Sequence, residues 1–205
     1  MMLVELTAPP AEALPVAGLA AHLRLGAGFA DVLDPAETTA LAGFLRAAIA
    51  TIEARTGKVL LERRFRLRLE CWRDAEAQPL PLAPVGAVER VEIEDGAGSV
   101  RTLDPGQWRL VPDLQRPLLR PRGAFLPAIP EGGFATITFL AGFGPGWDTV
   151  PADLAQAVLM LAARHHEERS FEAGQAALPF GVGALIERWR LVRVLGGRGQ
   201  PRGRA

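Results

Sequence analysis

Hydrophobic spacing changes twice along this chain. Leu41, Phe44, Leu45, Ala48, Ile49 and Ile52 recur every three or four positions, which puts them on one face of a helix. Asp34, Pro35 and Glu37 supply its start: a capping carboxylate, a proline at the first helical position and a glutamate at the third. Gly57 stands where a left-handed terminator belongs. A shorter helical signal, Val16–Leu25, precedes it, with Leu19, His22 and Leu23 on one face. From Arg64 to Cys71 the period becomes two, Phe65, Leu67, Leu69 and Cys71 alternating with charged residues. That is a strand with one buried and one wet face, and it places Cys71 in the core.

Alternation continues. Val91 and Ile93 lead to a hairpin signal at Asp95-Gly96, further strands are expected around Trp108–Val111 and Leu118–Arg120, and Phe134–Ala141 closes the region. Helical spacing then returns. Pro151 opens a helix expected to reach about Arg169, apolar nearly all round, which calls for cover on more than one face, in part from a neighbouring subunit. A last helix is expected over Val182–Val194. The pattern predicts an α+β fold: a small helical bundle core with an antiparallel β insertion between the second and third main helices. The expected divisions are 1–58 and 145–195 for the two parts of the helical core, 59–144 for the β insertion, and 196–205 for a flexible basic C-terminal tail.

Composition sharpens this picture in two places. The 205 residues carry 23 basic and 23 acidic groups, but six arginines, from Arg188 to Arg204, follow the last acidic residue, Glu187. A mildly acidic body with a basic end suggests that the end meets something acidic. One cysteine, Cys71, excludes an internal disulfide framework and fits a reducing compartment. The N-terminus has no cationic lead of a secretory signal, and the longest apolar run is too short to span a bilayer. The expectation is a soluble, intracellularly made protein with no membrane partner.

Candidate chemistry is sparse. There is no tyrosine or asparagine, and only Ser99, Ser170, one lysine (Lys58) and three histidines. Gly142, Gly144 and Gly146 follow a strand and precede a helix, the layout of a phosphate cradle. Yet Pro145 has no amide hydrogen, and no lysine or hydroxyl completes the site. The loop reads as a hinge. His165 and His166 are adjacent and point about 100° apart on a helix, so they do not share an ion. Neither serine sits in a nucleophile elbow. The reading is of no enzyme, no catalytic residue, no cofactor and no metal. The partner-binding candidates are Trp189, Arg190, Arg193, Arg198, Arg202 and Arg204. A small DNA-binding module working through that basic end is the alternative.

The order of several short motifs resembles the head–tail connector, or adaptor, family of long-tailed phages and phage-like gene transfer agents. Glu53-Ala54-Arg55-Thr56-Gly57 is similar to the family's E-x-x-T-G helix ending, and Asp95-Gly96-Ala97-Gly98 to its D-x-x-G turn. Ala141-Gly142-Phe143-Gly144 followed by Val150-Pro151-Ala152-Asp153-Leu154 resembles its A-G-[YF]-G loop and V-P-x-x-[IL] helix start. Leu178-Pro179-Phe180-Gly181-Val182, with Leu185 and Trp189-Arg190, resembles its ending. Phe143 and Trp189 stand where tyrosine is common, and His166 where an aromatic is common. The resemblance implies a structural virion-type protein: a dodecameric ring at the head–tail junction of a phage or phage-like particle. Its implied partners are the portal, a downstream tail or stopper protein, and its own copies. DNA would pass through the channel without sequence specificity.

Overall fold

The computed structural model describes residues 1–25, 34–167 and 178–190. It is an α+β fold whose helices and strands build two separate cores. α1 (Val16–His22) and α2 (Pro35–Thr56) follow one short N-terminal strand, and α3 (Ala152–Glu167) and α4 (Phe180–Ile186) come after the remaining strands. α2 is bounded as its sequence dictates. The Asp34 side chain accepts the Ala36 amide at 3.1 Å, Pro35 opens the helix, and Gly57 closes it with φ 67°, in the left-handed region. Leu41, Leu45, Ala48, Ile49 and Ile52 are buried from this helix, against Leu154, Ala157, Val158, Leu161 and Ala162 of α3 and Val182 and Ile186 of α4. α3 is contacted by α1, α2 and α4, so its near-continuous apolarity is answered largely within one chain.

The strands form two antiparallel sheets. The larger has the order β1-β2-β8-β4-β5, built from β1 (Met2–Glu5), β2 (Arg63–Leu69), β8 (Phe134–Ala141), β4 (Val85–Glu94) and β5 (Val100–Thr102). The smaller joins β3 (Gln78–Pro79), β7 (Leu118–Pro121) and β6 (Trp108–Val111), in the order β3-β7-β6. Phe65, Leu67, Val91, Ile93, Ile137 and Phe139 of the large sheet share a core with Leu80, Trp108 and Leu119 of the small one. On the wet face of the large sheet, Arg64 reaches across β8 to grip Glu89 through two hydrogen bonds of 2.7 and 2.8 Å. Arg68 pairs with Glu94 at 2.9 Å and lies 3.8 Å above the Phe134 ring.

Several sequence-based boundaries shift. Residues 2–5, assigned to the helical core, form edge strand β1 beside β2. Strand β2 ends at Leu69, so Cys71 lies beyond its alternation and is exposed, not buried in the core. His22 is exposed, because α1 buries Leu19 and Ala20 instead. α4 begins two residues before Val182 and gives way after Ile186 to a 3-10 turn over Glu187–Trp189. Val194, the expected end of that helix, lies outside the described residues, as does the tail 196–205.

A buried polar joint connects the two cores. Glu53, near the end of α2, accepts the Leu60 amide at 2.8 Å and a hydrogen bond from Arg63, which also pairs with Glu5 of β1 at 3.1 Å. Arg63 is only 8 % exposed. Burial pushes the Glu53 carboxyl up from its ordinary pKa, against the pull of the Arg63 guanidinium and the Leu60 amide. Beside it, Thr56 donates to the Ile52 carbonyl and accepts the Lys58 amide. Lys58 is fully buried, its Nζ donating to Gln115 at 2.8 Å. Burial lowers its pKa, with the Asp113 carboxylate acting in the opposite sense.

Candidate partner-docking site

The Gly142–Gly144 loop is where β8 returns the chain to the helices. Two of its amides are already used: Gly142 donates to the Pro84 carbonyl at 3.0 Å and Phe143 to the Leu60 carbonyl at 3.3 Å, while Glu62 donates to the Gly144 carbonyl at 2.7 Å. Those two donors point into the protein and do not converge on a phosphate. Gly142 has φ 142°, and a side chain there would run into the backbone of Leu61 and Glu62. The loop is a seam between strand β8, residues 60–62 and α3. Of the three glycines that resemble a phosphate cradle, Gly142 is there for close backbone approach, while a side chain at Gly144 or Gly146 would meet the Thr149 or Asp148 side chain.

Phe143 projects from this seam onto Trp189, edge to face, with ring centroids 5.6 Å apart. Asp153, in the first turn of α3, completes the corner. Its carboxylate accepts Trp189 Nε1–H at 2.6 Å, Arg188 Nε–H at 2.7 Å and the Leu154 amide at 3.0 Å. Burial opposes ionisation of Asp153, but the hydrogen bonds from Trp189 and Arg188 outweigh it and hold the carboxyl below its ordinary pKa. The Arg188 guanidinium also covers the Trp189 ring at 4.8 Å. A shallow groove beside this corner is lined by Ala152, Asp153, Ala184, Leu185, Glu187 and Arg188.

Of the predicted contact residues, Trp189 is half-buried and makes these intramolecular contacts. Arg190 is exposed and pairs with Glu187 at 3.0 Å. Arg193, Arg198, Arg202 and Arg204 lie outside the described residues. Asp153 and Phe143 were not among the predicted contact residues, although both stand in the loop and helix-start motifs that carry the family resemblance. Phe180, at the start of α4, is 92 % exposed, an apolar side chain with no packing role in the described chain. Among the described residues no cluster of three or more His, Cys, Asp or Glu side chains is arranged to hold a metal. No described helix is long and apolar enough to cross a membrane.

Comparison with known proteins shows where such a chain is found. No protein-family model matches the chain, and no curated protein does. Solved structures do. A chain in the neck of an empty gene transfer agent particle, computed with C6 symmetry, is 55 % identical, with TM-score 0.86 over 97 % of this chain and all of that one. A chain in the virion of a native gene transfer agent particle is 54 % identical, with TM-score 0.83 over 96 % of this chain and 99 % of that one. A chain in the neck of a native particle, computed with C12 symmetry, is 52 % identical, with TM-score 0.81 over 97 % of this chain and all of that one. The class is thus a structural component of a phage-like particle. The chain belongs to the neck proteins of gene transfer agent particles, which are structural components of the particle.

Proposed function

We propose that this protein is the head–tail adaptor of such a particle: a ring of twelve copies docked beneath the portal, with a tail or stopper protein below and DNA passing through its channel without sequence specificity. The observation that carries this is the end-to-end match to a neck chain from a particle computed with C12 symmetry. A closed ring needs two different contact faces on each copy. The chain is made in the bacterial cytoplasm and incorporated as the neck assembles.

The basic end, Arg193 to Arg204, is the arm that grips the portal. The Asp153–Trp189–Phe143 corner supports this role, because it fixes where the arm leaves the helical core. Arginine suits the task, since its planar fork binds carboxylates in pairs. Recovering the tagged chain from particle-producing cells tests the reading, with native mass spectrometry of whatever accompanies it. Portal in a fixed ratio with twelve copies is the expected result. A monomer with no structural partner refutes the adaptor role. Removing residues 191–205 is expected to abolish portal recovery, and unchanged recovery refutes the arm.

A further inference from the structure

Strands β6 and β7 are paired so that Arg109 stands directly opposite Arg120. Both are exposed. The Arg122 amide donates to the Gln107 carbonyl at 2.9 Å, which continues the same register. Strand alternation therefore places Arg122 on the face that carries Arg109 and Arg120. Counting hydrogen-bonded pairs from Gln107 and Arg122, Arg109 and Arg120 form the next such pair, with Cα atoms about 5.5 Å apart. Like charges directly opposite one another on a sheet repel. Three guanidinium groups are thus gathered on one small exposed face.

Among the described residues no carboxylate pairs with them. β3, β6 and β7 contain no acidic residue. Of the carboxylates in the adjoining turns, Asp104 accepts the Gly106 amide, Asp113 the amides of Gln115 and Arg116, and Asp74 the Glu76 amide, while Glu76 is exposed and forms no ion pair with these arginines. Among the described residues Arg109, Arg120 and Arg122 form no ion pair; Arg122 donates Nε–H to the Trp108 carbonyl at 3.2 Å. On the large sheet Arg64, Arg68 and Arg90 each face a glutamate, while Arg66 and Arg101 form no ion pair among the described residues. The small sheet thus presents its positive charge to solvent, where a partner carrying the opposite charge can meet it.

We infer that the exposed face of the β6–β7 sheet is a contact for the phosphate backbone of double-stranded DNA. The inference rests on the adaptor reading for why DNA is nearby, and it adds which surface meets it. Charge complementarity favours phosphate over an acidic protein patch. The face presents cations, and its apolar members, Pro79, Val111 and Leu118, are partly buried. The aromatics that anchor protein hot spots are absent from these positions. A row of guanidinium groups matches a continuous line of phosphates and carries no base-reading geometry.

The test uses the full chain and a mixed-sequence DNA duplex, with affinity measured by fluorescence anisotropy across a salt series. Three proteins are compared: the natural chain, the R109Q/R120Q/R122Q variant, and a tail variant R193Q/R198Q/R202Q/R204Q. Each phosphate contact contributes about −0.9 to the slope of log affinity against log salt. The sheet variant is therefore expected to bind more weakly, with a slope shallower by about 2 to 3. Lysine at the same three positions should restore it, because phosphate accepts a point charge. An unchanged slope in the sheet variant, with the whole loss in the tail variant, overturns the inference. So does a sheet variant that binds DNA normally but no longer enters particles, because the face would then belong to a protein partner. Should the triple variant not fold, Arg120→Gln alone is expected to make the slope shallower by about 1, and no change refutes the contact. The measurement needs only free protein, so its failure is distinct from a failure of the natural chain to form a ring.

Discussion

Replacing Asp153 by alanine removes the acceptor that holds the last described turn against α3. The Trp189 indole hydrogen bond to a charged, mostly buried carboxylate is worth about 1.5–3 kcal/mol. The Arg188 pair adds at most about 1 kcal/mol, because its side chain is 70 % exposed. Val182 and Ile186 remain buried without Asp153, so the cost falls on the 3-10 turn Glu187–Trp189 and not on the whole fold. The Arg190 amide, which donates to the Glu187 carbonyl at 3.2 Å, reports on that turn. An opening easier by about 2–4 kcal/mol speeds its hydrogen exchange by about thirtyfold to nearly a thousandfold. Acidity gives a second handle. The folded Asp153 carboxyl titrates below its ordinary value of 3.8, so its contribution is complete above that value and is lost as pH falls through the lower, folded one. The natural chain should show an acid-dependent loosening of the 187–190 segment that Asp153→Ala lacks. Equal exchange at Arg190 in both proteins would refute the anchoring role.

Two further predictions concern the seams. Glu53→Ala strands the Arg63 guanidinium in the joint with only Glu5, and should cost about 3–5 kcal/mol in urea unfolding. Glu5→Ala, at a 40 % exposed partner, should cost about 1 kcal/mol or less, and equal losses would rule out the buried joint. Gly142→Ala drives a methyl group into the Leu61–Glu62 backbone at a left-handed φ and should cost roughly 2–5 kcal/mol. Gly43→Ala, on α2 with open space around it, should instead stabilise by about 0.5–1 kcal/mol; thermal melts in which the two shift alike would refute the steric account.

What could be read from sequence depended on how local the determinant was. α2 was legible because its cap, proline, apolar face and terminating glycine all lie within one segment. β8 was legible from strict alternation. β1 was missed: Met2–Glu5 carries no turn signal, and only pairing with β2 makes it a strand. Cys71 was misplaced because alternation was extended past Leu69, where the ladder to β8 ends. The strands Trp108–Val111 and Leu118–Pro121 were recognisable one at a time, but their separation into a second sheet follows from long-range register. The Trp189 stripe could be seen in the sequence, whereas its acceptor Asp153 is brought to it from 36 residues away.

The burial of Lys58 has a practical consequence. It is the chain's only lysine, and with no accessible surface its amine is shielded from solution. In an intact particle, amine-directed cross-linkers and acylating labels would reach this protein, at most, at its N-terminus. Almost every cation on its surface is an arginine, and that charge persists through any pH the particle survives. Mapping its neighbours by chemistry therefore calls for guanidinium- or carboxylate-directed reagents, and a strong lysine signal from this chain would itself report that the fold had opened.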